Sequence, residues 1–127
     1  MIIDSSAIVA IVLREHGWAE LVAKLAAEPT AVGAPTLVET GLVLTAKIGN
    51  KARSVLARFL QEAGLTIIPF GEEHWRAAVE AYARFGKGRH PADLNFGDCL
   101  TYAVTRLASQ RLLFVGTDFS KTDLPPA

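Results

Sequence analysis

The chain has 127 residues, half of them hydrophobic and one-fifth charged, with 13 basic residues against 13 acidic ones. This excludes a disordered chain, and it leaves any polyanionic partner to a local basic patch rather than to net charge. A single cysteine, Cys99, excludes an internal disulfide and a Cys-rich zinc site, and no apolar run approaches the ~20 residues of a membrane span. With no basic residue ahead of the first apolar run, the expectation is a cytoplasmic protein forming one domain over residues 1–127.

Met1 to Ile3 reads as a short buried strand. From Ser5, the residues Ile8, Val9, Val12 and Leu13 follow helical spacing, and Asp4 or Ser5 can cap that helix. A second helix is predicted over 17–27, ahead of Pro29, with a short strand near 30–33. Pro35 and Thr36 open the next helix, which runs to about Ile48 and is stopped by Gly49 and Asn50. Another helix extends from about Lys51 to Ala63. LTIIPF (65–70) reads as a buried strand, Glu72 to Phe85 as a helix, and FGKGRHPADLNFG (85–97) as a Gly/Pro-rich loop. Leu100, Ala103, Val104, Leu107 and Ala108 then give an apolar helical stripe, and RLLFVG (111–116) is the last strand. Strands alternating with helices predict a three-layer α/β/α domain around a mainly parallel sheet. In such sheets ligands bind beyond the carboxyl ends of the strands, where Asp4 and Asp118 fall.

Four acids stand at element boundaries or helix starts. Asp4 follows the first strand, where it is equally an N-cap. Glu39 lies opposite the stripe Leu37, Gly41, Leu44 and Ile48, beside Val43 and Ala46, so it is partly buried or else paired to Lys47 or an arginine. Asp98, with Asn95 ahead of it, occupies the reciprocal position of a capping box, and Asp93 offers another cap. Asp118 lies in the turn after the last strand, with Asp123 five residues on. If the strands are parallel, Asp4, Asp98 and Asp118 converge on one edge with Glu39 beside them. Carboxylates that close repel, and a divalent cation removes the penalty. All-oxygen ligands select Mg²⁺ or Mn²⁺, whose natural chemistry with phosphate is phosphodiester hydrolysis.

At these residues a resemblance appears. The segments D-S-S-A near the start, P-T-x-x-E-T, L-N-F-G-D-C and G-T-D-F resemble the PIN-domain ribonucleases, and most of all the VapC-type toxins of toxin–antitoxin pairs. The likeness covers nearly the whole chain and is most specific over YARFGKGRHPADLNFGDCLTYA (82–103). It implies that Asp4, Glu39 and Asp98 are the three core acids and that the Ser6 hydroxyl orients Asp4. For the fourth position the family often has an acid or amide where this chain has Thr117, so Asp118 is carried as the matching acid, with Thr117 and Asp123 as alternatives. It further implies Mg²⁺ or Mn²⁺ at these acids and RNA cleavage by an activated water to a 5′-phosphate and a 3′-hydroxyl. The implied partners are a VapB-type antitoxin whose C-terminal tail covers the cleft and a second copy of the chain, within a higher assembly.

The loop before Asp98 concentrates Arg84, Lys87, Arg89 and His90 within seven residues, interleaved with Phe85. It is either a solvated loop or a patch that holds RNA phosphates while Phe85 or His90 stacks on a base. His16, His74 and His90 have no metal-ligand spacing, Cys99 reads as a packing residue, and Trp18 and Trp75 as core or interface anchors. Two alternatives stand beside the ribonuclease. One is a Mg²⁺-binding, receiver-like phospho-acceptor, although the acid pair and late lysine of a receiver are missing. The other is an inactive antitoxin-binding partner.

Overall fold

Two consecutive isoleucines feed the two halves of the core. In the computed structural model, which describes residues 1–127, strand β1 is Ile2–Ile3 and lies inside the sheet. It pairs in parallel with β2 (Ala31–Gly33) on one side and β4 (Leu112–Leu113) on the other, while β3 (Thr66–Ile68) pairs in parallel with β2. The strand order is β3-β2-β1-β4. Successive side chains on a strand point to opposite faces. Ile3, Val32 and Leu113 therefore enter one core with α1 (Ser5–Val12), α2 (Trp18–Ala27), α3 (Ala34–Ile48) and α4 (Ala52–Ala63). Ile2 and Leu112 enter the other with α5 (Glu72–Phe85) and α6 (Phe96–Ala108). The result is the predicted three-layer α/β/α arrangement, and here every strand pair is parallel.

The helices fall where the punctuation of the sequence places them. Gly49, at φ +77°, breaks the run between α3 and α4, and a single 3₁₀ turn over Gly49–Lys51 bridges the two. Three expectations need correction. The last strand contracts from 111–116 to Leu112–Leu113. Its free edge is covered by the chain's own tail, where Leu112 N–H donates to the Pro125 carbonyl and Ala127 N–H to the Leu112 carbonyl. The segment expected to be a buried strand is an edge strand with Ile67 half exposed, because the sheet ends there and the helices on the Val32 side leave that corner open. The buried arc of α6 is also not the simple stripe. Leu107 is 41 % exposed whereas Thr101 and Thr105 are buried, because α6 packs against α5, α3 and the sheet together. Its contact with β2 is close enough that a Cβ on Gly33 would come within 2.8 Å of Val104 Cγ2. No helix is long and apolar enough to cross a membrane.

The two isoleucine environments predict opposite mutational costs. Ile3→Ala, which empties a fully buried site in the inner strand, should lower unfolding free energy by about 2–5 kcal/mol, whereas Ile67→Ala should cost less than about 1 kcal/mol. Denaturant unfolding of the two variants checks this, and equal losses would contradict the edge assignment of β3.

Candidate functional site

Parallel strands end together, and the chain places an acid at that end. Asp4 follows β1; its N–H donates to the Leu113 carbonyl, which continues the sheet ladder by one residue. Its extended backbone makes it the N-cap of α1, and the carbonyl accepts from Ala7 and Ile8 N–H. Only 4 % of the residue is exposed. Burial of a carboxylate demands partners, and neutral donors supply them. The Ser6 N–H and hydroxyl donate to Asp4 Oδ2 at 3.1 and 2.6 Å, and the Thr101 hydroxyl donates to Oδ1 at 2.8 Å. Because the Thr101 proton is committed to Asp4, the 3.1 Å contact between Thr101 and Thr36 has Thr36 as its donor. Ser6 Oγ in turn accepts from Val115 N–H, 3.0 Å away, tying the segment after β4 to the start of α1.

Glu39 projects from the second turn of α3 and is half-buried. No lysine or arginine pairs with it. Its one side-chain hydrogen bond is from the Ser5 hydroxyl, 3.0 Å from Oε1. The carboxylate rests against Gly97 in the first turn of α6. A Cβ there would lie 2.6 Å from the Glu39 carboxyl carbon, inside van der Waals contact, so only glycine admits this approach.

Asp98 occupies the third position of α6 and forms a capping box with Asn95. The Asn95 N–H donates to Asp98 Oδ2 at 3.0 Å, and the Asp98 N–H donates to Asn95 Oδ1 at 2.9 Å. The capping role and a place in the acid cluster coexist. The Asp98 carboxyl is pushed up to about 6, chiefly by burial and further by the charges of Asp4, Asp118 and Glu39, against the lowering effect of the Asn95 hydrogen bond. All three other acids thus face Asp98 closely enough to repel its charge. Asp118, exposed and just ahead of a 3₁₀ turn at Phe119–Lys121, is the acid of the last segment that does so. Asp123 is engaged elsewhere. Tyr102 Oη donates to it at 2.6 Å, and Arg106 and Arg84 approach at 3.3 and 3.5 Å. Burial works to raise the Asp123 pKa, but these three partners prevail and hold it below the usual range.

None of the ion pairs in the protein involves Asp4, Glu39, Asp98 or Asp118. As placed, no three of these side chains stand in a geometry that by itself could hold a metal ion. The donor set is nonetheless that of a hard-cation site, with only oxygen ligands and no internal counter-charge. Mg²⁺ commonly takes one or two carboxylates directly and fills its remaining positions with water and phosphate. A divalent cation therefore fits the charge and donor chemistry found here.

The basic loop divides. Arg84 is drawn to Asp123 and lies over the Phe85 ring at 4.7 Å. His90 Nδ1 accepts from Ala92 N–H and its ring packs edge-on against Phe85, 5.1 Å between centroids. Phe85 itself is buried, so it offers no face to a base. Lys87 and Arg89 stay exposed, on a loop closed by the Gly86–Leu94 bridge and by Gly88 N–H donating to Asp93 Oδ1. Four partners of the acids are not legible as such in the sequence: Ser5 and Thr36, which read as helix starts, Gly97, which reads as loop, and Thr101. Only Thr101 offers a usable signal, a threonine one turn beyond Asp98 on the same side of α6.

Residues 1–124 of the chain match the PIN domain. Ribonuclease VapC36 of Mycobacterium tuberculosis is 48% identical over 126 residues, spanning 98% of this chain and 91% of that protein. Among solved structures, the fold is similar to M. tuberculosis VapC20, described as a sarcin–ricin loop cleaving toxin, with a TM-score of 0.81 at 18% identity over 99% and 97% of the two chains. It is also similar to VapBC2 of Rickettsia felis bound to a DNA fragment from its promoter, with a TM-score of 0.75 at 15% identity over 99% and 96%.

Two outcomes are expected of the metal-free protein. Asp98 has a higher pKa folded than unfolded, so its stabilising contribution is complete below about pH 4 and is lost as pH rises through about 6. Solvent screening of this partly exposed carboxyl holds the loss to about 1–2 kcal/mol. It should vanish in Asp98→Asn and be reduced by saturating Mg²⁺; denaturation measured between pH 4 and 7 reads it. Gly97→Ala would stabilise a helix by about 1 kcal/mol on propensity alone, but here that gain should be offset, because the new methyl displaces the Glu39 carboxylate from its contact with Ser5. In a Glu39→Ala background the gain should reappear. A double-mutant cycle showing no coupling would refute the contact.

Proposed function

The chain belongs to the PIN-domain family and to its VapC branch, and from that premise we propose that it is a metal-dependent endoribonuclease, the toxin of a toxin–antitoxin pair. The observation that carries the reading is the convergence of Asp4, Glu39, Asp98 and Asp118 at the carboxyl ends of parallel strands, with no cationic side chain among them. These four residues would hold Mg²⁺ or Mn²⁺. A divalent cation bound there would neutralise charge on the scissile phosphate and make a water more acidic. Hydrolysis forms a bond from water oxygen to phosphorus and breaks the bond to the 3′-oxygen, which takes up a proton. The products are a 5′-phosphate and a 3′-hydroxyl.

The chain's own residues hold this site in shape before substrate arrives. Ser6 and Thr101 fix both oxygens of Asp4. Asn95 orients Asp98, and Gly97 leaves the space that Glu39 fills. Ligand orientation by such partners commonly governs metal affinity by 10- to 100-fold. Lys87 and Arg89, exposed on the loop ahead of α6, are assigned to the RNA phosphates; Arg84 and His90 contribute by holding that loop through Asp123, Phe85 and Ala92. The partner is a VapB-type antitoxin, in keeping with the VapBC2 complex among the structural relatives, and, as the family resemblance implies, the active assembly contains two copies of this chain. Family membership leaves the receiver-like alternative without support.

Purified protein incubated with structured RNA and Mg²⁺ or Mn²⁺ should cleave it, with 5′-phosphate ends detected by labelling. Asp4→Asn and Asp98→Asn should each lower the rate by on the order of 100-fold or more, with the fold retained by circular dichroism. Equal cleavage by wild type and both variants, or no cleavage with either ion, would sink the ribonuclease reading.

A further inference from the structure

Of the rings expected to stack on RNA, Phe85 is buried and His90 is half-buried edge-on against it, yet another aromatic stands at the edge of the site. Phe96 is 79 % exposed, the most exposed of the large hydrophobic residues in the chain. It is the first residue of α6, next to the Gly97 on which Glu39 rests and two residues before Asp98. A ring at that position contributes little to the fold, because it buries little of its area. It forms one wall of a hollow of about 290 Å³ whose other walls are Ala78, Val79, Tyr82, Cys99 and Leu100. Tyr82 is itself 42 % exposed, and the Arg89 guanidinium lies 5.6 Å from the centre of its ring. Lys87 stands on the same loop with its ammonium in no ion pair.

We propose that Phe96, backed by the Tyr82–Arg89 pair, is the surface on which a nucleobase of the RNA stacks while an adjacent phosphodiester lies at the four carboxylates. This rests on the ribonuclease reading and adds to it a substrate class: RNA with an unpaired, splayed base beside the cleavage point. Three features favour a base over an apolar protein surface. The most exposed element is an aromatic face rather than an aliphatic chain, and every base offers a complementary π-face. One cation, the Arg89 guanidinium over the Tyr82 ring, stands beside the apolar hollow, matching a ligand that alternates flat rings with phosphates. The surface also adjoins the acid cluster along the backbone, so one strand crossing the start of α6 can reach both. Helix positions 96 and 98 face different sides of that start. A base on Phe96 therefore belongs to a nucleotide flanking the one cleaved, not to the cleaved phosphate itself.

The test combines Phe96→Ala, Phe96→Leu and Phe96→Trp with a short single-stranded RNA that the wild type cleaves, substituted at successive nucleotides by an abasic site. The Ala and Leu variants should raise KM about ten-fold with a smaller change in kcat, and Trp should stay close to wild type. One abasic position should weaken wild-type cleavage to the same degree and have no further effect in Phe96→Ala. All variants should keep wild-type thermal stability and sedimentation behaviour. The inference is overturned if KM is unchanged in Phe96→Ala. It is also overturned if no abasic position couples to Phe96, or if Leu restores what Ala loses while Ala alone shifts the sedimenting species, which would make this face a contact between copies. If the wild type cleaves no RNA, the inference falls together with the ribonuclease reading; if the wild type cleaves and the variants match it, this inference falls alone.

Discussion

Burial of the Asp4 carboxylate at the end of an inner strand is the constraint around which the site is built. Its N–H belongs to the sheet ladder, its carbonyl to the first turn of α1, and its two carboxylate oxygens to Ser6 and Thr101. A buried carboxylate short of partners would be among the most costly defects a small domain can carry. Meeting that demand joins four segments that are distant in sequence. Ser6 reaches Val115 after β4, and Thr101 in α6 reaches Thr36 in α3. No buried side-chain polar atom is left without a partner. The hydrogen bonds that offset the burial of one acid also set the distances between the strand end, α3 and α6.

Electrostatics then gives this site a direction. The arginines that form ion pairs do so with acids elsewhere: Arg111 with Glu28, Arg58 with Glu62, Arg76 with Glu72, and Arg84 and Arg106 with Asp123. The four acids at the strand ends receive none. Asp4 is accommodated by dipoles, whereas Asp98, raised to about 6 chiefly by burial, also bears the repulsion of the other three acids. A fold whose charges cancel overall thus keeps uncompensated negative charge in one place, where a cation and the phosphate it attracts relieve it together.

Helix starts serve two purposes here. Asp4 caps α1 and Asp98 completes the capping box of α6, so the groups that satisfy exposed helix N–H donors are the same ones that line the cleft. A change that removes either acid therefore acts on stability and on the site at once, which is why the conservative Asn replacements are the informative ones. Gly97 has the same double character. It weakens α6 as a helix and gives Glu39 the room in which its carboxylate lies.

Periodicity and punctuation suffice to locate every helix and strand of the α/β order, because helix stops such as Gly49 and Gly64 and alternating apolar strands are local signals. The positions of Asp4, Asp98 and Asp118 at element boundaries, and of Glu39 early in α3, are local in the same sense. Which elements lie side by side is not. The sequence alone could not show that Ile67 sits at an open sheet edge, that Thr101 and Thr105 belong to the buried side of α6, or that Phe85 turns inward while Phe96 turns out. It could not separate Asp118 from Asp123 either, since both follow the last strand. In the folded chain Tyr102, Arg84 and Arg106 converge on Asp123 from two helices, while Asp118 lies near Asp98. Residue chemistry and spacing are carried by the chain itself, but burial and pairing depend on neighbours brought close only when the parallel sheet forms.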